Sequence, residues 1–417
     1  MSSGRRVLVV SCLYPDAQGR VDGIFVHEQV KGLRHRGLDA RVVSGQPLWM
    51  VRPRAFLRHL GALVDPRWPE WDEYDSVPIV RFLYPADGFE LGVQPLLYAL
   101  ALRRKLRALA AAFPFDIVHA HTAFVDGRAG MAAARSRGVP FVLTEHTGPF
   151  SSVTADWRRR VHVRAAIRSA DRVIAVSEAL RTAMVDQLAL EGKEGIAVIP
   201  NAVDSRFFDP ALERSDRGPS GKVGPARPGR ALWVGHFVEI KRVDRLLEAF
   251  AIASRREPGL RLKLLGSGPL AGPMEQRART LGIRERVDFS PATGRAGVRK
   301  AMSEADFLVI SSDTETFGVV AIEALAMGIP VLTTACGGPE EIIDSPRLGQ
   351  VMGNSAEDLA VGLCRMCADL GSYDAGAIRR AAVDGFDLDR VAERIEALYE
   401  STWQRAARRL SGQRSQA

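Results

Sequence analysis

Two glutamates eight positions apart, Glu315 and Glu323, lie in the stretch of chain with the densest chemistry, residues 311–342. The pattern places Glu315 in the loop after a strand and Glu323 about one turn into the next helix. Carboxylates suit a polyhydroxyl ligand, because each oxygen accepts hydrogen bonds from hydroxyl groups. Gly318 lets the backbone approach a ligand closely, and the helix that begins after it offers N–H groups to an anion. The apolar neighbours of Glu323 favour a partly buried carboxylate that needs partners over a solvated one.

Short apolar runs that alternate with helical patterns must position these groups. Each run is continuous, as expected for parallel strands buried on both faces. The predicted strands of the first half are 5–11, 39–44, 116–121, 140–146, 171–177 and 196–201, and its helices lie near 26–35, 98–113, 127–137, 155–169 and 178–190. The predicted strands of the second half are 230–237, 260–268, 286–290, 306–312 and 330–336, and its helices lie near 242–255, 270–281, 295–304 and 318–327.

These elements predict an α/β chain of two Rossmann-like parallel-sheet domains that face a cleft, with C-terminal helices returning to the first domain. The predicted first domain is 1–205, and within it 45–95 is an irregular insertion rich in Pro, Trp and Arg. A Pro-, Gly- and Arg-rich linker at 206–230 leads to a second domain at 231–385, and 386–417 forms a C-terminal helix and basic tail. Ligands of such sheets bind beyond the carboxyl ends of the strands.

Composition excludes several classes of protein. The 417 residues are 46% hydrophobic and 25% charged, which is the balance of a soluble globular chain. No signal peptide or membrane span is evident. Four cysteines are too few for disulfide bonds to stabilise a chain of this size, so a cytoplasmic location is expected. The Cys364-x-x-Cys367 pair lies on an apolar helical pattern and is expected to pack in a core. The first strand lacks the glycine fingerprint of a dinucleotide oxidoreductase.

The formal net charge is +8, of which +6 falls in residues 1–205. A compositional bias towards Arg is one explanation, and a phosphorylated ligand, an anionic membrane surface or nucleic acid are others. No nucleic-acid-binding motif is evident, so nucleic acid is not an expected partner. Trp49, Trp68 and Trp71 with Arg52, Arg54 and Arg58 suit a sugar platform or an anionic lipid head group. The pattern at 98–113 is that of an ordinary sheet-covering helix, with four basic residues beside its apolar stripe.

The sequence resembles the retaining nucleotide-sugar glycosyltransferases of the GT-B fold, glycosyltransferase family 4. Their signature, E-x-F-G-x-x-x-x-E-A-x-A-x-G-x-P-V, is matched by ETFGVVAIEALAMGIPV at 315–331. Further blocks that resemble the family are DIVHAHTAFVDG (116–127), ADRVIAVSEAL (170–180), VIPNAVD (198–204), WVGHFVEIKRVDRLLEAF (233–250) and LLGSGPL (264–270). The resemblance implies that the first domain binds the acceptor and the second domain binds the donor.

The resemblance also implies roles for individual residues. Glu323 would hold the ribose hydroxyls of the nucleotide, and Glu315 would contact the donor sugar. Lys241 matches the lysine of the family's R-x-x-x-x-K pair, which neutralises the diphosphate in place of a metal. The arginine position of that pair is His236, and either Arg242 or charging of His236 by the phosphate would compensate. Further donor contacts are expected from backbone at Gly23, Gly235, Gly266, Phe317, Gly318 and Val319.

On the acceptor side, His146 in TEHTGPF matches a family histidine near the reacting sugar. Of His119 and His121, His121 lies nearer the carboxyl end of its strand and is the predicted acceptor contact. A metal site built from these histidines lacks a matched carboxylate or cysteine, so no metal is predicted. In the first loop only Gly23 matches the family's Gly-Gly pair, since Asp22 precedes it.

The function implied is metal-independent transfer of a hexose, with retention, from a nucleoside-diphosphate sugar to a hydroxyl acceptor. A UDP-sugar is the first choice of donor, and no cofactor is expected. The acceptor is a carbohydrate, a lipid-linked molecule or a small molecule, and peripheral contact with an anionic membrane is a further hypothesis. Two alternatives stay open: a nucleotide-sugar epimerase of the same fold, and a non-catalytic nucleotide-sugar binding protein.

Overall fold

The computed structural model describes residues 4–16, 22–48, 68–86, 92–190, 195–213, 229–291 and 294–414. The chain divides into two units. Unit 1 comprises Met1–Ala202 and Leu388–Ala417, and unit 2 comprises Val203–Asp387. Each unit is built around its own sheet, as an α/β pattern of alternating strands and helices requires.

The described part of unit 1 contains an eight-stranded sheet in the order β3-β4-β2-β1-β5-β6-β7-β8. All neighbours are parallel except β3, which runs antiparallel to β4 at the edge. The strands are β1 (Arg6–Val10), β2 (Asp39–Pro47), β3 (Asp72–Tyr74), β4 (Val77–Tyr84), β5 (Ile117–His121), β6 (Phe141–Glu145), β7 (Arg172–Ala175) and β8 (Ile196–Val198). The helices between them are α1 (Ile24–His35), α2 (Gln94–Ala112), α3 (Asp126–Arg137), α4 (Ser151–Thr154), α5 (Trp157–Ser169) and α6 (Glu178–Leu188).

Unit 2 contains a six-stranded parallel sheet in the order β11-β10-β9-β12-β13-β14 within the described ranges. Its strands are β9 (Arg230–His236), β10 (Arg261–Ser267), β11 (Val287–Ser290), β12 (Phe307–Ile310), β13 (Val331–Thr334) and β14 (Gly349–Met352). Its helices are α7 (Val243–Arg256), α8 (Ala271–Thr280), α9 (Gly294–Glu304), α10 (Val319–Ala326), α11 (Gly338–Ile342), α12 (Ala356–Asp369) and α13 (Ala375–Phe386). Cys364 and Cys367 lie on α12 and pack against the core of this unit.

The C-terminal helix α14 (Leu388–Arg414) returns to unit 1, as predicted. It packs along α1, where a Cβ at Gly32 would lie 2.6 Å from the carbonyl oxygen of Leu388. Tyr399 and Trp403 are buried in the core of unit 1, and the indole Nε1 of Trp403 donates to the carbonyl oxygen of Asp116 at 3.1 Å. The helix therefore completes one face of the first sheet.

The prediction that 45–95 is irregular throughout is wrong. β2 runs on to Pro47, and β4 extends the sheet by pairing in parallel with β2. Pro78 and Arg81 interrupt the hydrophobic alternation of β4, which hid the strand, and Pro78 is tolerated because it faces the short edge strand β3. Residues 49–67 and 87–91, with Trp49, Arg52, Arg54 and Arg58, lie outside the described residues, as do 214–228 of the predicted linker.

The two other tryptophans of this region are engaged within unit 1. The indole Nε1 of Trp68 donates to the carbonyl oxygen of Arg81 at 3.1 Å, and the ammonium of Lys105 lies 4.8 Å from the ring. Trp71 packs edge-on against Phe113, with ring centroids 5.9 Å apart. Among the described helices, none is long and apolar enough to cross a membrane.

Candidate active site

In unit 2, Lys241 and Glu315 meet at the carboxyl edge of the sheet. The ammonium of Lys241 donates to Oε1 of Glu315 at 2.5 Å, and the hydroxyl of Ser312 donates to the same oxygen at 2.6 Å. The side chain of Lys241 is 29% exposed and that of Glu315 is 15% exposed. The pair is therefore desolvated on one side and open to a ligand on the other.

The backbone of Glu315 is held between strand ends. Its N–H donates to the carbonyl oxygen of Cys336 at 2.7 Å, and its own carbonyl accepts from the N–H of Gly338 at 2.9 Å. A Cβ at Gly338 would lie 2.4 Å from the Cα of Phe317, so only glycine permits this approach. The loops after β12 and β13 are thus packed directly on one another.

Helix α10 begins beside this pair. Gly318 precedes it in the left-handed conformation, with φ of +89°, and Phe317 is buried beneath the turn. The first N–H groups of an α-helix lack the usual carbonyl partner and carry partial positive charge, so the start of α10 is suited to binding an anion. Glu323 lies one turn further on and is half-buried.

The predicted glycines of β9 and β10 allow two strand ends to approach. A Cβ at Gly266 would lie 1.8 Å from the carbonyl oxygen of Gly235, and one at Gly268 would lie 2.6 Å from the backbone nitrogen of Phe237. Close backbone packing therefore accounts for glycine at Gly266. His236 at the end of β9 is exposed.

Arg242 is engaged with carboxylates. Its guanidinium bonds to Asp244 at 3.0 Å and to Asp313 at 3.2 Å, and these bonds raise the pKa of Arg242. Arg245 donates to Asp313 as well. The guanidinium of Arg242 is thus shared between two carboxylates, whereas the ammonium of Lys241 is bonded to one, and compensation by Arg242 for the family arginine stays a prediction.

In unit 1, His121 and His146 lie side by side at the carboxyl edge, at or just after the ends of β5 and β6. Nδ1 of His121 and Nε2 of His146 are 3.0 Å apart, so one nitrogen donates and the other accepts. Burial lowers the pKa of His146 to about 3, although the nearby Asn201 acts in the opposite direction. Burial, together with the neighbouring His119 and His146, holds the pKa of His121 well below its usual value. Both rings are therefore neutral at physiological pH.

Glu145 fixes the backbone that carries His146. This carboxylate is fully buried at the end of β6. Its Oε1 accepts from the N–H groups of His146 and Thr147, each at 2.8 Å, and from the Thr147 hydroxyl at 2.6 Å. Its Oε2 accepts from the N–H of Ala123 at 2.9 Å, in the loop after β5. One side chain thereby joins the loop that carries His146 to the loop that follows His121.

Two further groups reach His146 and His119. The ring of Phe25, in the first turn of α1, lies 4.4 Å from that of His146. Gly23, a predicted donor contact, precedes α1 with φ of +76°. A Cβ there would lie 2.1 Å from the carbonyl oxygen of Leu13, so glycine allows the two ends of the first loop to pack together. His119 is bonded between the Tyr399 hydroxyl at 2.6 Å and Thr144 Oγ1 at 2.7 Å.

Four residues that contact the predicted site residues or their neighbours are not predicted from the sequence: Glu145, Ser312, Phe25 and Tyr399. Glu145 adjoins His146 in the chain, but its role depends on a loop 22 residues away. Within the described ranges, no three side chains of the His, Cys, Asp and Glu types come together as a metal site. The predicted site residues are thus brought together in two groups, one in each unit, and their roles stay predictions.

The fold, two Rossmann-like parallel sheets in separate units, and the match to sequence profiles together define the class of the protein as a glycosyltransferase. The sequence profile of glycosyl transferases group 1 matches residues 223–369, and that of glycosyltransferase family 4 matches residues 23–207. A D-inositol 3-phosphate glycosyltransferase of Actinosynnema mirum is 32% identical over 319 residues, which cover 70% of this chain and 75% of the relative. The chain belongs to glycosyltransferase family 4.

Solved structures show the same fold. Sucrose-phosphate synthase from Thermosynechococcus elongatus matches with a TM-score of 0.74 at 20% identity, over 96% of this chain and 100% of the other. Anabaena HepE in complex with UDP-glucose matches with a TM-score of 0.67 at 20% identity, over 95% of this chain and 100% of the other. At these identities the likeness extends to the GT-B architecture alone.

Proposed function

We propose that the protein is a retaining hexosyltransferase that uses a nucleoside-diphosphate sugar, with a UDP-sugar as first candidate, and needs no metal ion. The observation that carries the proposal is the Lys241–Glu315 pair beside the N-terminus of α10. A cation, a carboxylate and the first backbone N–H groups of a helix at one edge suit a diphosphate joined to a polyhydroxyl ring.

On donor binding, the ammonium of Lys241 moves from Glu315 to the diphosphate. Glu315 is then released to accept from sugar hydroxyls, while Ser312 keeps it oriented. Glu323, one turn into α10, accepts from the two ribose hydroxyls. Stabilising the departing diphosphate is the main catalytic contribution, because charge develops there in the transition state.

Retention follows when the departing phosphate oxygen takes the acceptor's proton on the face that the acceptor attacks. In the donor complex Glu315 still accepts from the Ser312 hydroxyl and also from sugar hydroxyls, which suits an orienting group better than a nucleophile. In unit 1, His146 is a neutral, partly exposed ring that can accept from or donate to an acceptor hydroxyl, and the fully buried His121 orients it through the bond between the two rings.

The acceptor in this proposal is a carbohydrate, lipid-linked or small-molecule hydroxyl, met in the cytoplasm or at the inner face of the membrane. The name of the A. mirum relative refers to an inositol phosphate, which places a small phosphorylated polyol among the acceptors to test. Peripheral contact with an anionic membrane would serve a lipid-linked acceptor.

A thermal-shift screen against UDP-, GDP- and ADP-sugars, with and without magnesium, tests the donor site. We expect one donor to raise the melting temperature of the wild type equally with and without metal, and Glu323→Ala to lose the shift. A shift that needs magnesium, or one that survives in the variant, contradicts the proposal.

The engagement of Arg242 with Asp244 and Asp313 favours a second candidate, a protein that binds the donor without transferring the sugar. Product analysis with the donor found in the screen and a panel of acceptors separates the two. A glycosylated product supports transfer, an epimerised donor identifies an epimerase, and an unchanged donor identifies a binding protein.

A further inference from the structure

The positive charge of this protein is concentrated on three helices of unit 1. Helices α2, α3 and α5 together carry twelve Lys and Arg residues and one acidic residue, a formal net charge of +11 in a chain whose formal total is +8. The single acid is Asp126, which is fully buried. The exposed cations among them include Arg103, Arg104, Arg107, Arg158, Arg160 and Arg168.

These three helices lie side by side. α2 packs against α3, and α3 packs against α5. The crossovers β4-α2-β5, β5-α3-β6 and β6-α5-β7 all advance in one direction through the sheet, so right-handed connections place the helices on one face. We call their outer surface the basic face. The next helix, α6, carries net charge −1, so the basic face ends there.

Exposed apolar side chains lie at one end of the basic face. Leu96 and Leu100 on α2 are 43% and 46% exposed, and Trp157 and Val161 on α5 are 68% and 57% exposed. Each pair is spaced i, i+4 and so projects from one side of its helix. The first turns of the two helices adjoin, since a Cβ at Gly92 would lie 3.0 Å from the Cβ of Arg158.

The location of these apolar tips relates them to the candidate site. α2 begins after β4 and α5 begins after β6, so both tips lie at the carboxyl edge of the sheet. His121 and His146 lie at the same edge of the same unit. A molecule anchored next to the tips would therefore present its head group at the edge where the histidines lie.

We propose that the basic face and its apolar tips dock on an anionic lipid bilayer. Each cation near such a surface is attracted by anionic head groups, whereas exposed Leu, Val and Trp side chains gain by entering the interface between head groups and acyl chains. A nucleic acid or an acidic polymer would satisfy the arginines but not the apolar tips. Only the link to a lipid-linked acceptor rests on the proposed function.

Vesicle co-sedimentation of the full chain tests the docking surface. The probes are vesicles of phosphatidylcholine alone and of phosphatidylcholine with phosphatidylglycerol in equal parts. We expect binding to the anionic vesicles only, falling as salt is raised. The triple variant Arg103→Gln, Arg104→Gln, Arg107→Gln should bind about a hundredfold more weakly, given the attraction typical of each basic residue near an anionic surface. The double variant Leu100→Ser, Trp157→Ser should also bind more weakly at unchanged charge.

A matched control removes three exposed arginines of unit 2 by the changes Arg255→Gln, Arg256→Gln and Arg365→Gln. It should bind as the wild type does. No binding of the wild type to anionic vesicles, or equal binding of the first variant and this control, overturns the proposal. If the serine variant binds anionic vesicles as tightly as the wild type does, the proposal is overturned too, and the basic face is a site for polyanions of any kind. Donor thermal shifts that persist in all variants separate these outcomes from failure of the proposed function.

Discussion

The ammonium of Lys241 lies 2.5 Å from Oε1 of Glu315, so the two charged groups expected to meet the donor neutralise one another within unit 2. Both side chains are largely shielded from water, and a half-buried charge without a partner is costly. The pair keeps both groups in place before a ligand arrives. A diphosphate carries more negative charge than one carboxylate and can draw the ammonium away.

Lys241→Ala should lower kcat about a hundredfold or more, because a cation that stabilises the departing diphosphate is lost. The apparent affinity for the donor should change less, since backbone donors and Glu323 still bind it. Steady-state kinetics with the donor found in the thermal screen measures both. Lys263→Ala, a lysine of the same unit that is paired with Glu304, is the matched control. Equal kcat in the two variants would contradict the role of Lys241.

Glu323→Ala should weaken donor binding about tenfold or more, which corresponds to hydrogen bonds from ribose hydroxyls to a charged acceptor. Calorimetric titration with the intact nucleotide sugar measures the loss, and titration with the free sugar should show no difference from the wild type. Glu357→Ala changes an exposed glutamate of α12 and is the control. A variant that binds the donor as tightly as this control does would show that Glu323 lies outside the nucleotide site.

Most strands could be predicted because they are buried on both faces and read as continuous apolar runs. β1 and β5 are buried in this way, and their observed bounds lie within one residue of those predicted. β4 could not be predicted, since it is near the edge of the sheet and contains Pro78. Its pairing with β2 is a tertiary property that no local pattern encodes.

The candidate site shows the same division. Glu315, Lys241 and His146 could be found because each lies in a local motif. The bond between Lys241 and Glu315 joins positions 74 residues apart, and the link from Glu145 to Ala123 joins two different loops. Such contacts depend on which strands are neighbours. Sequence therefore identified the groups that could contact ligands better than the groups that hold them.

Glu145→Gln should destabilise unit 1 by about 2 kcal/mol or more. Four donors now converge on this buried carboxylate, and an amide would place its own N–H groups against some of them. Urea unfolding measures the stability. The rate of sugar transfer should also fall, because the backbone of His146 loses its support. Glu178→Gln, which changes a half-exposed glutamate in α6, should lower neither the stability nor the transfer rate. A Glu145 variant with wild-type stability would mean that the loops are held by other contacts.

His119→Gln should reduce the pH dependence of stability in acid. Burial lowers the pKa of His119 to about 3, against 6.5 as its ordinary value. Between these values the unfolded chain binds a proton that the native chain does not, so stability rises with pH. Removing one such group should lower the slope by about 1.4 kcal/mol per pH unit between about pH 4 and 6. Hydrogen exchange of the β5 amides measures this pH dependence locally. If the variant has the same slope of stability against pH as the wild type, His119 is protonated in the native chain.

Asp126→Asn should act in the opposite sense and in a different pH range. Burial raises the pKa of Asp126 to about 8, although the Cys12 N–H donates to its Oδ1 at 2.7 Å. Between about pH 4 and 8 the native chain therefore keeps a proton that the unfolded chain has lost, and stability falls as pH rises. Asparagine imitates the protonated carboxyl, keeps an acceptor for Cys12 and does not titrate, so the variant should lose the decline between pH 6.5 and 8. Urea midpoints across that range measure the effect, with His119→Gln as the control that keeps the decline. If the decline persists in Asp126→Asn, the carboxyl at Asp126 is ionised in the native chain.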